Sequence, residues 1–204
     1  MINNYTSFIK ENKNIIRISC ASLARIIIND KFLLCVNKSS LKNKNIKVYT
    51  PFGGSLEYTE EALDFLNGIN SEFEKGKDLR LRISLSNLEI FKHWFQKKEN
   101  REIGIDRELV EELVEEEKVF KNLSSVDFQS KYLKMVEDFA RYNDIDNYRF
   151  FEIYNIEFND NKLEELLKVI EDEKSNLRLV TKEEILKGET EDGIEIGQNS
   201  KSLI

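Results

Sequence analysis

Two strand-sized apolar runs on either side of a two-residue turn constrain this chain most. Residues 15–28 are rich in β-branched side chains, Asn29-Asp30 follows, and residues 31–37 resume with Phe32-Leu33-Leu34-Cys35-Val36. Asn and Asp between two such runs read as a hairpin turn. An early antiparallel pair therefore founds a sheet, and 40% hydrophobic content over 204 residues is enough to cover it with a real core. A single Pro and eight Gly exclude collagen-like and Pro-rich linker classes.

The remaining apolar runs are also strand-sized, and none approaches the roughly 18 residues of a membrane-crossing helix. The N-terminal stretch is polar (Asn3, Asn4, Lys10, Glu11), so no signal peptide is readable and a soluble, cytoplasmic protein is expected. Lys+Arg total 31 against 38 Asp+Glu, a formal charge of −7. That balance argues against a long nucleic acid as partner, since its backbone needs a cationic face. It leaves small phosphorylated ligands open, because a local cluster or a bound metal overrides net charge. Cys20 and Cys35 lie in apolar, strand-like stretches and read as buried reduced thiols. The one histidine, His93, falls on an amphipathic helical stretch, so neither an N/S-type zinc site nor a histidine-activated nucleophile is expected. Carboxylate is what remains for chemistry.

Along the chain, a polar Lys/Asn-rich loop is expected at Lys38–Lys44, then a short strand at Ile46–Thr50. The strand ends in Pro51-Phe52-Gly53-Gly54, which holds the only Gly-Gly pair. Leu63, Leu66, Ile69 and Phe73 recur at helical spacing within residues 60–73. Residues 79–85 alternate as a strand; Ser86 or Asn87 could cap a helix whose stripe is Leu88, Phe91, Trp94 and Phe95. A further helix is expected from Asp106, its candidate N-cap, to Val119. Strand-like material at 126–142, a strand at 148–158 and a helix at 163–170 follow. The strand at 177–180 then leads into a capping box formed by Thr181 and Glu184. With no repeat or interdomain linker, the reading is one mixed α/β (α+β) domain over residues 1–204.

The informative segment is Arg107-Glu108-Leu109-Val110-Glu111-Glu112. On a helix, Glu108, Glu111 and Glu112 share one face, with Arg107 a turn from Glu111. Three carboxylates on one face repel unless they are solvated or hold a cation. Hard oxygen ligands on a stiff helix suit Mg²⁺ or Mn²⁺. Spacing alone favours a solvated acidic face, since Glu115-Glu116-Glu117 continues the same composition.

Context adds a resemblance. Arg-Glu-Leu-x-Glu-Glu resembles the second half of the Nudix box, and its first half is here too, with five residues between Gly54 and Glu60 after a Pro-x-Gly-Gly. A contiguous box would put its arginine at position 68, which is Gly68; the arginine stands at 107, so 39 residues separate it from that position. Glu99 offers a second fit, with seven residues between it and Arg107, but His93 then occupies the glycine position. This split box, with Asn100-Arg101-Glu102-Ile103 ahead of the helix, resembles the SMODS- or CD-NTase-associated Nudix domains of cyclic-oligonucleotide (CBASS-type) antiphage systems. The C-terminal Leu179-Val180-Thr181-Lys182-Glu183-Glu184-Ile185-Leu186-Lys187-Gly188 and the closing Ser-Lys-x-Leu-Ile extend the likeness, which spans about Cys20 to Ile204.

The resemblance implies a Nudix fold, a mixed sheet sandwiched between helices, with a helical insertion of about residues 68–105 inside the box. It implies a Mg²⁺- or Mn²⁺-dependent phosphohydrolase acting on a nucleoside diphosphate linked to another moiety. Carried over, Glu108, Glu111 and Glu112 match the metal ligands and Arg107 the arginine that orients a glutamate. Gly53 and Gly54 match the glycines that let backbone approach the substrate, and Glu60 the first box glutamate. After Glu112 the family pattern expects x-Gly-aliphatic, where this chain has Leu113-Val114-Glu115, so the helix should run on past its usual end. A non-hydrolytic module that binds a cyclic-oligonucleotide messenger is the alternative, with a functional link to a nucleotidyltransferase and a homodimer both open by analogy. Tyr49, Phe52, Phe91, Trp94, Phe95 and Tyr148 are candidate base-stacking residues against an expectation of core, and Arg80, Arg82 and Arg101 candidate phosphate partners against exposed surface charge.

Overall fold

The computed structural model describes residues 15–142 and 145–204. It has the mixed α/β character the sequence implies, and the chain divides into two compact units, each with its own core. Strands β1 (Ile15–Ile28), β6 (Phe128–Tyr142) and β7 (Ile145–Phe158) each run through both. β7 pairs with β1 and with β6.

The first unit comprises the described parts of residues 1–21, 55–103 and 137–151. The start of β1 pairs antiparallel with β5 (Arg80–Ser84), in register from Ile15 opposite Ser84 to Ser19 opposite Arg80. β5 in turn pairs with the short β4 (Glu72–Phe73). Alternation puts Ile16, Ile18 and Cys20 of β1 and Leu81 and Ile83 of β5 in the core. Helix α3 (Leu88–Lys97) adds Leu88, Phe91, Trp94 and Phe95, the stripe its spacing predicts. Phe91 and Phe95 meet Phe150 of β7 at ring-centroid distances of 6.0 and 5.6 Å. These rings are core, as is Phe52 of the second unit, and Tyr148 packs edge-on against Phe139.

Arg101 also has a structural place. Its guanidinium lies 3.9 Å from the Phe95 ring centroid, and Nε and Nη2 both donate to the Phe95 carbonyl at 2.9 and 2.8 Å. Nη1 donates to the Glu102 carbonyl. A buried cation thus satisfies a carbonyl in the last turn of α3, where the helix dipole favours positive charge. Arg80 pairs with Asp78, and Arg82 shares Glu74 with Arg17.

The second unit comprises residues 22–54, 104–136 and 152–204. β1 turns into β2 (Lys31–Val36) through Asn29 and Asp30, both left-handed at φ 49° and 62°, as a tight hairpin requires. β2 pairs antiparallel with β3 (Val48–Thr50) and with β8 (Leu177–Val180), and β3 pairs parallel with β9 (Glu195–Ile196). Ala24, Ile26, Leu33, Phe52, Leu109, Leu113, Tyr154 and Leu166 belong to one buried cluster. Helix α5 (Asp160–Ile170) starts at Asn159, whose side chain accepts from Lys162 N–H. Helix α6 (Lys182–Lys187) begins with the full Thr181–Glu184 capping box.

Three expectations need correction. Lys38–Lys44 is a helix, α1, not a loop. It buries nothing and is held by its ends: Asn37 Oδ1 accepts from Ser40 N–H at 2.8 Å, and Asn45 closes it in a left-handed conformation. The helix expected over 60–73 is a 3₁₀ turn (Glu60–Ala62) plus α2 (Leu63–Gly68), after which Asn70 takes a left-handed φ and β4 begins. Asp106 is the first helical residue rather than the cap, and its Oδ1 accepts from Ser130 Oγ at 2.9 Å.

Arg101→Lys retains the charge but not the planar fork, so it should lower stability by about 2 kcal/mol. Thermal unfolding should report a fall of roughly 4–8 °C; an unchanged midpoint would show that the guanidinium contacts carry no net stability.

Candidate functional site

All six residues singled out for chemistry, Gly53, Gly54, Arg107, Glu108, Glu111 and Glu112, lie in the second unit. The helix that carries the acids starts as α4 (Asp106–Val110) and continues as a π-helical turn, Glu111–Glu116. Its closing bond is of the wide type, from Glu117 N–H to the Glu112 carbonyl at 2.8 Å. Leu109 and Leu113, four apart and fully buried, fix the rotation of this helix against the core. Glu108 and Glu112, each one residue earlier, are thereby aimed together.

Their target is the glycine corner. After β3, Pro51 ends the strand, and the corner hangs from β1 by Ala24 N–H to the Phe52 carbonyl (2.9 Å) and Ser22 N–H to the Gly54 carbonyl (3.0 Å). Gly53 has a φ of +131°, and a Cβ there would lie 2.0 Å from the Ser22 carbonyl oxygen. Its N–H donates to Glu112 Oε2 at 2.6 Å. A Cβ on Gly54 would lie 1.9 Å from Glu108 Oε2. Both glycines are therefore required, one by backbone conformation and crowding, the other by a carboxylate occupying the space of a side chain.

The acids do not behave alike. Arg107 Nη2 pairs with Glu108 Oε1 at 2.8 Å, and its Nη1 reaches both oxygens of Glu111 at 3.2 and 3.3 Å. Glu111 lies along a separate open cavity of about 440 Å³, which Asp106, Val110, Glu115, Ser124 and Phe128 also line. Burial pushes the Glu112 carboxyl up to about 8; the Gly53 N–H opposes this, while the negative charges of Glu108, Glu116 and Glu117 add to it. The same surroundings raise the Cys35 thiol well above its ordinary value, burial first and the Glu112 charge next. Cys20 and Cys35 are both buried, and neither is in a disulfide. Glu116 and Glu117 turn to Lys38 of α1, at 3.3 and 2.8 Å.

The structure thus brings Glu108 and Glu112 to the glycine corner and holds Glu111 on Arg107. Among the described residues, no three His, Cys, Asp or Glu side chains converge as a ready metal cage. Two carboxylates nonetheless fit Mg²⁺, which uses one or two protein carboxylates and completes its shell with water and phosphate oxygens. Two carboxylates this close, one carrying a raised pKa, are the donor set a hard dication would relieve. Glu60 belongs to the first unit, where it is exposed and pairs with Lys77, and Glu99 is exposed as well. Tyr49 is buried, beneath the cations of Lys47 and Arg178.

Sequence reading overlooked two supports. Glu152, a fully buried carboxylate on β7, accepts from Tyr154 Oη at 2.9 Å, and Tyr154 Oη in turn accepts from Gly104 N–H at 3.1 Å, two residues before α4. A single acid inside the apolar run Phe150-Phe151-Glu152-Ile153-Tyr154 was the available signal. Lys38, which draws off Glu116 and Glu117, carried no signal because its helix was not legible.

Comparison with known families agrees with this architecture. The family model described as the SMODS-associated NUDIX domain matches residues 15–204, and the chain belongs to that family. No curated protein and no solved structure matches it. Among the described residues, no helix is long and apolar enough to cross a membrane.

Glu112 binds its proton more tightly folded (about 8) than unfolded (near the ordinary 4.5). Its favourable contribution is therefore complete below about pH 4.5 and is lost as pH rises through about 8. In metal-free buffer, stability should fall across that window by on the order of 4 kcal/mol. Glu112→Gln, which can still accept from Gly53, should flatten the slope. Denaturant unfolding at a series of pH values checks both, and equal slopes in the two proteins would refute the assignment.

Proposed function

We propose that this SMODS-associated NUDIX domain is a divalent-metal-dependent phosphohydrolase acting on a nucleotide in which a phosphate bridges to another moiety. The observation that carries the reading is the joint approach of Glu108 and Glu112 to the Gly53-Gly54 corner. Glu108 and Glu112 would hold Mg²⁺ or Mn²⁺, while Glu111, the third carboxylate of the motif, is engaged by Arg107. When bound, the ion neutralises phosphate charge, polarises phosphorus and lowers the pKa of its water.

The chain's own groups do the rest. Arg107 steadies Glu108 by its 2.8 Å pair and keeps Glu111 close on the same side of the helix. The Gly53 N–H fixes one oxygen of Glu112, leaving the other for a ligand. Gly54, without a side chain, leaves room for Glu108 beside the corner. The raised pKa of Glu112 means that binding a cation near neutral pH releases a proton from this carboxyl. In an antiphage setting, such an activity would act on nucleotides linked to a neighbouring nucleotidyltransferase.

A second reading has its own support. The helix runs on as a π-turn through Glu116, where the Nudix pattern has a glycine soon after its last glutamate. With no three carboxylates converging among the described residues, a domain that binds a cyclic oligonucleotide without cleaving it is the competitor.

Incubation with dinucleotides, nucleotide sugars and cyclic di- and trinucleotides in Mg²⁺ or Mn²⁺ separates the two. Turnover by the wild type, with kcat/KM lowered at least ~100-fold in Glu108→Gln, is expected, since each lost charge-stabilising contact costs several kcal/mol. Calorimetric binding of a cyclic oligonucleotide recovered intact would favour the second reading. Equal turnover by wild type and Glu108→Gln would remove the carboxylate mechanism.

A further inference from the structure

The carboxylate helix ends beside an open cleft of about 800 Å³, the size of a nucleotide pocket, lined by Val114, Lys118, Phe120, Lys121, Asn122 and Lys162 with Glu165. Three ammonium groups around one cleft are unexpected in a chain of net charge −7. The acids that close the helix do not neutralise them, because Glu116 and Glu117 are engaged by Lys38 and Glu117 also accepts from Asn176. Neither Lys118 nor Lys121 has an ion pair on its side chain among the described residues.

Lys162 is placed against ordinary preference twice over. Its side chain is only 10% exposed, so its charge is largely desolvated. It stands in the first turn of α5, where the helix dipole disfavours a cation. Its partners there are the half-exposed Glu165 carboxylate at 3.3 Å and the Phe120 ring, 4.9 Å below the ammonium. Lys118 is unusual in another way, as its φ of +54° is a conformation glycine adopts more cheaply. The backbone turns at that point to end the helix, and a long cationic side chain is kept where the turn would prefer none.

We propose that this cleft binds a phosphate group, with Lys118, Lys121 and Lys162 neutralising its charge and the Asn122 amide available to its oxygens. Val114 and the edge of Phe120 give the cleft an apolar floor against which the rest of a ligand can lie. The inference does not depend on hydrolysis at Glu108 and Glu112, nor on a metal.

The test uses the full chain in EDTA, which keeps the metal site out of the measurement. Thermal unfolding is followed with inorganic phosphate, pyrophosphate and a linear dinucleotide at millimolar concentration, against NaCl of matched ionic strength. The wild type should gain several degrees with the phosphate compounds over the salt control. Lys118→Gly relieves the left-handed backbone, so it should unfold no lower than wild type without ligand, yet it should lose at least half of the phosphate-dependent shift; Lys118→Gly with Lys121→Ala should lose nearly all of it. A larger gain with the dinucleotide than with pyrophosphate identifies a nucleotide as the source of the phosphate, and equal gains identify free phosphate. No gain over NaCl, or an undiminished gain in the double variant, overturns the proposal. The phosphate-dependent shift of Glu112→Gln, taken relative to its own NaCl control, should match that of wild type, so that an effect on the carboxylate site and loss of this site are read separately.

Discussion

The contact on which the rest of the second unit turns is between a backbone without side chains and two carboxylates. The Gly53 N–H fixes Glu112, and Glu108 fills the volume a Cβ on Gly54 would occupy. Either interaction alone could be incidental, but together they set the depth and rotation of the acidic helix against the strand that precedes the corner. The buried pair Leu109 and Leu113 supplies the opposing constraint from the core side. The helix is thus pinned on two faces, and what its polar residues can reach follows from that.

An acidic run looks uniform in sequence, yet here it is divided among partners. Glu108 and Glu111 share Arg107, Glu112 takes a backbone amide, and Glu116 and Glu117 go to Lys38. The division follows from geometry. The π-turn widens the helix between Glu111 and Glu116, so residues beyond it no longer continue the face set by α4. Repulsion that would be severe on a single stripe is spread over separate sites, and burial holds the proton of Glu112 more tightly than on an ordinary glutamate.

Much of this was legible in the chain. Alternation gave β5, β-branched and apolar runs gave β1, β2 and β7, the Asn29-Asp30 pair gave the hairpin, and Thr181 with Glu184 gave the capping box, because each of these signals is local. The split motif was legible as well, and with it the family. What escaped has a physical reason in each case. Helix α1 buries nothing, so it has no apolar period and depends on Asn37 and Asn45 at its ends. The break after Gly68 depends on Asn70 turning left-handed within a run whose apolar spacing still looked helical. Spacing grouped Glu108, Glu111 and Glu112 on one face, but which two meet the glycine corner depends on the Arg107 pairs and on hydrogen bonds to residues far away in sequence. Neither has a periodic signature.

The parallel pairing of β3 with β9 bears on how the molecule is made. β3 delivers the chain to the glycine corner, and Val48 and Tyr49 find their neighbours in Glu195 and Ile196. On the ribosome the strand leading into the corner must therefore wait, with one edge open, until Glu195 and Ile196 have emerged. Long-range parallel partners of this kind are slow to close. Until then a nascent chain would carry its carboxylates and glycines without the frame that holds them in place, so competence would arrive at once, with that pairing, rather than growing with length.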